Sequence, residues 1–220
     1  MNTAEPRWKV VAAKREDAAW ELLVAESGPE CVLELDAGVE IYFARREQAE
    51  TVARRWRLPA PELTAAGGGE VFGEHPTTEL CLELMQGVVR PGEWTADIGS
   101  GSGRLSAEAL RQGARCVAAD IDWPAAVASR QSGALTLQGS ADALRGGAFD
   151  GVLANLHLAV WRAVAAEIGR IAAPSAWMVA GGLLEAQAGD VRALLAPLGF
   201  RIRRTAKRQG WVGLLAQRSL

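Results

Sequence analysis

Residues 95–105 read TADIGSGSGRL, from Thr95 to Leu105, with glycines at alternate positions, Gly99, Gly101 and Gly103. The residues before them, WTADI, have the apolar character of a buried strand, and RLSAEALRQG after them has the spacing of a helix. A strand that turns through glycines into a helix brings bare backbone close to a ligand, because glycine lacks a Cβ and accepts positive φ. The dinucleotide fingerprint G-x-G-x-x-G fails here, since Arg104 stands at its sixth place counted from Gly99. The pattern present is D-x-G-x-G-x-G, in which Asp97 precedes the first glycine by two residues. A carboxylate there receives, directly or through water, a ligand ammonium that a diphosphate does not possess.

The next strand-like piece, CVAAD, ends at Asp120, twenty-one residues after Gly99. That is the interval at which a carboxylate meets the ribose hydroxyls of a bound nucleoside in folds of this kind, with Asp122 a second candidate. Further strands are expected at ALTLQ, DGVLAN and WMVAGGL, separated by the helical pieces WPAAVASRQ, AVWRAVAAEIGRIA and EAQAGDVRALLAPLG. Strand and helix alternating in this way predict a doubly wound parallel sheet with helices on both faces. RIRRTAK and GWVGLLAQR read as a closing hairpin, so the sheet is expected to end in an antiparallel strand.

Ahead of the helix TTELCLELMQGVV, the stretch LPAPELTAAGGGE has two prolines and three consecutive glycines and reads as a linker, residues 58–70. Residues 1–57 show the order strand, helix, strand, strand, helix, from RWKVVA, REDAAWELLVAE, CVLEL, VEIYF and RREQAETVARRWR. They form a small α+β unit with a hairpin turn at Asp36 to Gly38. Residues 71–220 form the larger α/β unit.

Composition narrows the function classes. Of 220 residues 49% are hydrophobic and 23% charged, the balance of an ordinary folded chain, and the net charge of −2 disfavours a strongly basic nucleic-acid binder. Cys31, Cys81 and Cys116 are isolated among apolar residues, which fits buried free thiols and neither a disulfide framework nor a zinc site. With only His75 and His157 as histidines, a catalytic metal is not expected. The N-terminal residues hold no apolar run of signal-peptide length, so a cytoplasmic protein with no membrane association is expected.

VFGEHPTTELCLELM, ADIGSGSGRLSAEA, AADIDWPA and GAFDGVLANL, with GGLLEAQAGDV and GWVGLLA later, resemble the bacterial ribosomal protein L-eleven methyltransferases in order and spacing, from about residue 71 to the end. The resemblance implies a seven-stranded Rossmann-like methyltransferase sheet, S-adenosylmethionine as cofactor, and a small N-terminal substrate-recognition domain. It places Thr78 and Gly99 at the methionine part of the cofactor, Gly101 in the same loop, Asp120 at the ribose and Ser140 at the adenine. It also places Asn155 beside the reactive methyl, as a cofactor contact and as the catalytic candidate. The acceptor it implies is a lysine or N-terminal amine of a ribosomal large-subunit protein. No direct nucleic-acid contact is implied, and the oligomeric state is open. The sequence ANLH at Asn155, in place of an NPPY-type motif, argues against methylation of a nucleobase or a glutamine. VFGEHPTT is shorter than the family's loop at this point, which keeps two alternatives open: a different protein or small-molecule acceptor, or a cofactor-binding module without turnover.

Overall fold

The computed structural model describes residues 7–13, 31–35, 38–43, 45–64 and 76–219. The chain divides into two compact units, Met1–Phe72 and Gly73–Leu220.

In the first unit, β1 (Arg7–Ala13), β2 (Cys31–Leu35), β3 (Gly38–Phe43) and β4 (Glu62–Thr64) form an antiparallel sheet in the order β2-β3-β1-β4. Helix α1 (Arg46–Trp56) lays Ala49, Val52 and Ala53 on Val10, Ile41 and Phe43, the apolar alternates of β1 and β3. The helix stops at Arg57, which adopts the left-handed conformation, and Leu58 returns its N–H to the Ala53 carbonyl. The expected linker, residues 58–70, needs correction at this point: Glu62–Thr64 pair with Lys9 to Arg7 as an edge strand. Pro59 and Pro61 bar helix and interior strand, but the three residues after them cover the otherwise open edge of β1. The expected helix REDAAWELLVAE, His75 and the shortened segment Val71 to His75 lie outside the described residues.

The second unit holds a sheet of seven strands in the order β10-β11-β9-β8-β5-β6-β7. These are β5 (Trp94–Ile98), β6 (Arg115–Asp120), β7 (Leu135–Gln138), β8 (Phe149–Asn155), β9 (Ala172–Leu184), β10 (Phe200–Arg208) and β11 (Trp211–Arg218). β7, β6, β5, β8 and β9 are parallel, while β11 and β10 run antiparallel to their neighbours. The expected α/β architecture with an antiparallel hairpin at one edge is therefore present. The last strand lies inside the edge because Trp211 to Ala216 are buried, whereas β10 carries arginines and lysine on an exposed border. The helices are α2 (Pro76–Met85), α3 (Arg104–Arg111), α4 (Trp123–Ser129), α5 (Leu158–Ile171) and α6 (Ala188–Leu195). Among the described residues no helix is long and apolar enough to cross a membrane.

Two apolar layers sandwich the sheet. Ile98, Val152, Met178 and Leu214 join Trp161, Ile168 and Leu195 on one face. Leu153, Val179 and Leu215 join Cys81, Leu84, Met85, Leu105 and Ala109 on the other. From β5 the chain moves outward through β6 and β7, and from β8 it moves the other way to β9, so the carboxyl ends of β5 and β8 flank the crevice where open α/β sheets bind ligands.

Trp161 is fully enclosed, and its indole N–H donates to the Gly181 carbonyl at 3.1 Å, fixing α5 to the carboxyl half of β9. Trp161→Ala is expected to destabilise the protein by about 3–5 kcal/mol. Trp161→Phe, which loses the hydrogen bond and part of the volume, is expected to cost about 1–3 kcal/mol. Urea unfolding followed by circular dichroism measures both.

Candidate functional site at the carboxyl ends of the parallel strands

Beyond β5 the backbone passes through Gly99, Gly101 and Gly103 with φ of 69°, 53° and 76°, and enters α3. Only glycine adopts three such angles in five residues without strain. The turn is tied to β6: Gly99 and Ser100 both donate N–H to the Ala119 carbonyl, at 2.8 and 3.2 Å. Gly101 donates its N–H to Asp120 Oδ2 at 2.9 Å, and Asp122 donates to Oδ1 at 3.0 Å. The Asp120 carboxylate is thus held by two backbone amides, and each of its oxygens keeps acceptor capacity for a ligand hydroxyl. Among the described residues no atom beyond its chain neighbours lies within 4 Å of where a Gly101 Cβ would stand, so the loop is bare there.

The end of β7 is joined to the same place. Gly139 donates to the Asp120 carbonyl at 2.8 Å, bringing half-buried Ser140 to the adjoining strand end. Ile121, which follows Asp120, is 75% exposed, an unusual position for so large an apolar side chain, and Gln138 donates to its carbonyl at 3.2 Å.

At the other side of the crevice Asn155 ends β8 and donates from Nδ2 to Thr78 Oγ1 in the first turn of α2, at 3.2 Å. Residues 77 apart in sequence thereby meet above the sheet. Asn155 Oδ1 is buried, lies against Gly181, and has no hydrogen-bond partner among the described residues. The hydroxyl of Ser100, itself 8% exposed, is buried and unpartnered in the same way. Buried polar atoms left without a partner cost roughly 1–3 kcal/mol each. Both stand at the ends of the two strands that flank the crevice.

Asp97, the carboxylate ahead of the first glycine, is enclosed. Its carboxyl is 1% exposed and accepts the Ser106 hydroxyl at 2.6 Å, beneath the glycine turn and not along the open cleft. It anchors the first turn of α3 to β5. Burial, with a smaller contribution from nearby Asp120, pushes its pKa up from 3.8 to about 6, against the opposing pull of the Ser106 hydroxyl and amide.

Arg104 pairs with Glu79 at 2.7 Å, clamping the start of α3 to the start of α2 at the rim of the crevice. His157 is the N-cap of α5, and burial holds its imidazole below the ordinary range, so it is neutral near pH 7. Cys81 and Cys116 are buried free thiols whose pKa values burial raises, that of Cys116 to about 11. Ser100, Ser106, Ile121 and the Glu79–Arg104 pair escape the sequence reading. Only the helical register of Ser106 and the place of Ile121 directly after Asp120 left a signal for them.

The buried Asp97 yields a stability test. Its folded pKa lies above its unfolded one, so its ionisation opposes folding above pH 6, and that cost fades as pH falls toward 4. Relative to Asp97→Asn, the wild type is expected to gain about 2 kcal/mol of unfolding free energy between pH 7 and pH 4. Paired urea titrations at the two pH values measure the difference.

The comparisons bear on this geometry. The model of the ribosomal protein L11 methyltransferase family matches residues 67–219. The ribosomal protein L11 methyltransferase of Synechococcus elongatus is 36% identical over 181 residues, covering 73% of this chain and 60% of that protein. The one of Desulfosudis oleivorans is 34% identical over 197 residues, covering 81% and 65%. The chain therefore spans less than two thirds of the length of these relatives. Among solved structures, the ribosomal protein L11 methylase of Lactobacillus delbrueckii subsp. bulgaricus superposes with a TM-score of 0.60 at 26% identity, over 68% of this chain and 81% of that one. Magnesium protoporphyrin IX methyltransferase of Synechocystis with bound SAM shares the fold, with a TM-score of 0.52 at 21% identity over 65% and 78%. A seven-stranded sheet with this crevice, matched along most of its length by the family model, shows that the chain belongs to the ribosomal protein L11 methyltransferase family.

Proposed function

We propose that the protein is a cytoplasmic S-adenosylmethionine-dependent methyltransferase that methylates lysine or N-terminal amines of a ribosomal large-subunit protein. The observation that carries this reading is the convergence at one crevice of the bare glycine turn, the amide-held Asp120 carboxylate and the Thr78–Asn155 pair. The residues fit the cofactor. Asp120 would offer spare acceptors to two ribose hydroxyls, exposed Ile121 and half-buried Ser140 would flank the adenine, and the bare Gly101 would leave room for the chain from ribose to methionine. The unpartnered Ser100 hydroxyl and Asn155 oxygen are the polar atoms a ligand or its ordered water satisfies.

When bound, S-adenosylmethionine supplies an electrophilic methyl carbon on a sulfonium whose departure leaves a neutral thioether. The protein's part is alignment, which accounts for about 7–11 kcal/mol of barrier in well-oriented reactions. Thr78 and Asn155 hold the β8 end against α2 and so fix the wall along which an amine approaches. An acceptor ammonium would have to lose its proton to solvent before transfer, since a site holding a cationic sulfonium would disfavour a second positive charge. His157, tied to the start of α5, is assigned no base role. Asp97 acts from beneath, by shaping the turn. Residues 1–57 form the substrate-recognition domain, with the Glu62–Thr64 strand added to its sheet, and residues 71–220 carry the transfer site.

Asp120→Ala is expected to weaken S-adenosylmethionine binding by roughly 100-fold, as two hydrogen bonds to a charged group are lost. Asn155→Ala is expected to weaken that affinity by only about 10-fold, one hydrogen bond, and to lower kcat by about 100-fold, the mark of a group that acts mainly on alignment. Calorimetry and single-turnover transfer separate the two. Incubation with isotope-labelled cofactor and the large-subunit ribosomal proteins, read by mass spectrometry, is expected to place methyl groups on the L11 protein. Absence of any cofactor binding would overturn the reading, and transfer to some other acceptor would overturn the substrate alone.

A further inference from the structure

Between the ends of β5 and β8 lies one side chain that the cofactor contacts above do not use. Leu156 follows Asn155 and is half-buried, and its Cδ2 lies against the Gly99 Cα, where any side chain on Gly99 would run into it. Its backbone is pressed against Gly182, since a Cβ there would stand 2.5, 2.6 and 2.7 Å from Leu156 O, C and N. Gly182 has φ of 77°, and the Leu156 N–H donates to the neighbouring Gly181 carbonyl at 3.2 Å. Leu156 is therefore fixed on both sides: its peptide sits on the bend of β9 and its isobutyl group lies over the first glycine of the turn. Trp161, bonded to the same Gly181 carbonyl, holds that bend in place.

Strand spacing says what this position faces. Neighbouring strands are about 4.8 Å apart. A nucleoside whose ribose met Asp120 at the end of β6 would extend its 5′ side toward the neighbouring strand β5, whose end leads into Gly99. A substituent on the atom beyond C5′ that points toward Asn155 would then enter the gap between β5 and β8, the gap Leu156 fills.

Resting on the reading of this crevice as a sulfonium-cofactor site, we propose that Leu156 sets the size of the alkyl group that the site accepts on the sulfonium, admitting methyl and rejecting longer groups. Leu156 is a specificity-determining residue in this role. Its backbone is held against Gly182, so the isobutyl group is presented over Gly99 from a fixed Cα.

The test is a binding measurement with three probes: S-adenosylmethionine, S-adenosylethionine with an ethyl group on sulfur, and S-adenosylhomocysteine with none. Calorimetry on the wild-type chain is expected to show the ethyl compound binding at least about 10-fold more weakly than the methyl compound, the scale of one extra methylene in a closed apolar pocket. In Leu156→Ala the two are expected to bind within about threefold, while S-adenosylhomocysteine keeps its wild-type affinity within about threefold. Leu156→Val, which removes less, is expected to fall between them and carries the test should the alanine variant melt early. Wild-type protein that binds methyl and ethyl compounds equally overturns the proposal and leaves the cofactor reading standing. So does an ethyl-to-methyl ratio that the substitutions do not change. Wild-type protein that binds none of the three overturns the cofactor reading, and this proposal with it.

Discussion

The larger unit is organised around a turn of five residues gripped by two carboxyl groups. Asp97 holds it from below through Ser106, and Asp120 holds it from the side through the Gly101 amide, while the Ala119 carbonyl receives two more of its N–H groups. The two carboxyl groups have opposite surroundings: burial removes Asp97 from water, whereas Asp120 keeps free acceptor positions at the open rim. The buried one shapes the turn and the open one is available to a ligand. Its burial raises the pKa of Asp97 toward 6, so the shape of the turn is obtained at some expense in stability.

Opposite the turn, the other wall of the crevice depends on close backbone approach. Gly181 accepts hydrogen bonds from Leu156 and Trp161 through one carbonyl, and Gly182 lets the Leu156 peptide lie against the bend of β9. A large buried indole, two adjacent glycines and a leucine thus act as one packed assembly. Asn155 is carried on it toward Thr78, and α2 is drawn over the sheet end by that contact and by the Glu79–Arg104 pair. The residues at the crevice are in this way held by groups on α2, α3, α5, β6 and β9, so its geometry is a property of the whole sheet and its covering helices.

In the smaller unit the sheet and helix are built by ordinary alternation, Val10 and Ala12 in β1 and Ile41 and Phe43 in β3 facing Ala49, Val52 and Ala53 of α1. The departure there is instructive. Two prolines flanking an alanine mark a break in regular structure, and they do mark one, but a break in the chain is compatible with a short strand beginning directly after it. Local propensity cannot register Glu62–Thr64 as a strand, since its only reason to be one is the open edge of β1 about fifty residues earlier.

Much of the site was legible in the linear order of residues. Glycine spacing, an acidic residue at the end of the second strand of the larger unit, and asparagine at the end of β8 locate the turn, the amide-held carboxylate and the opposite wall, because each is a demand that local chemistry makes on one position. The strand and helix sequence of the larger unit was readable for the same reason, through its periodicity. Tertiary structure alone decided which polar groups stand at the open crevice and which face the core. Asp97 and Asp120 are the same residue type near the ends of adjacent strands, and only packing makes one a buried anchor and the other an open acceptor. The meeting of Thr78 with Asn155, and of Leu156 with Gly99 and Gly182, likewise depends on strands that become neighbours in the sheet though distant in the chain. Sequence states what each position is able to do; burial and neighbours, which exist only after folding, select what it does.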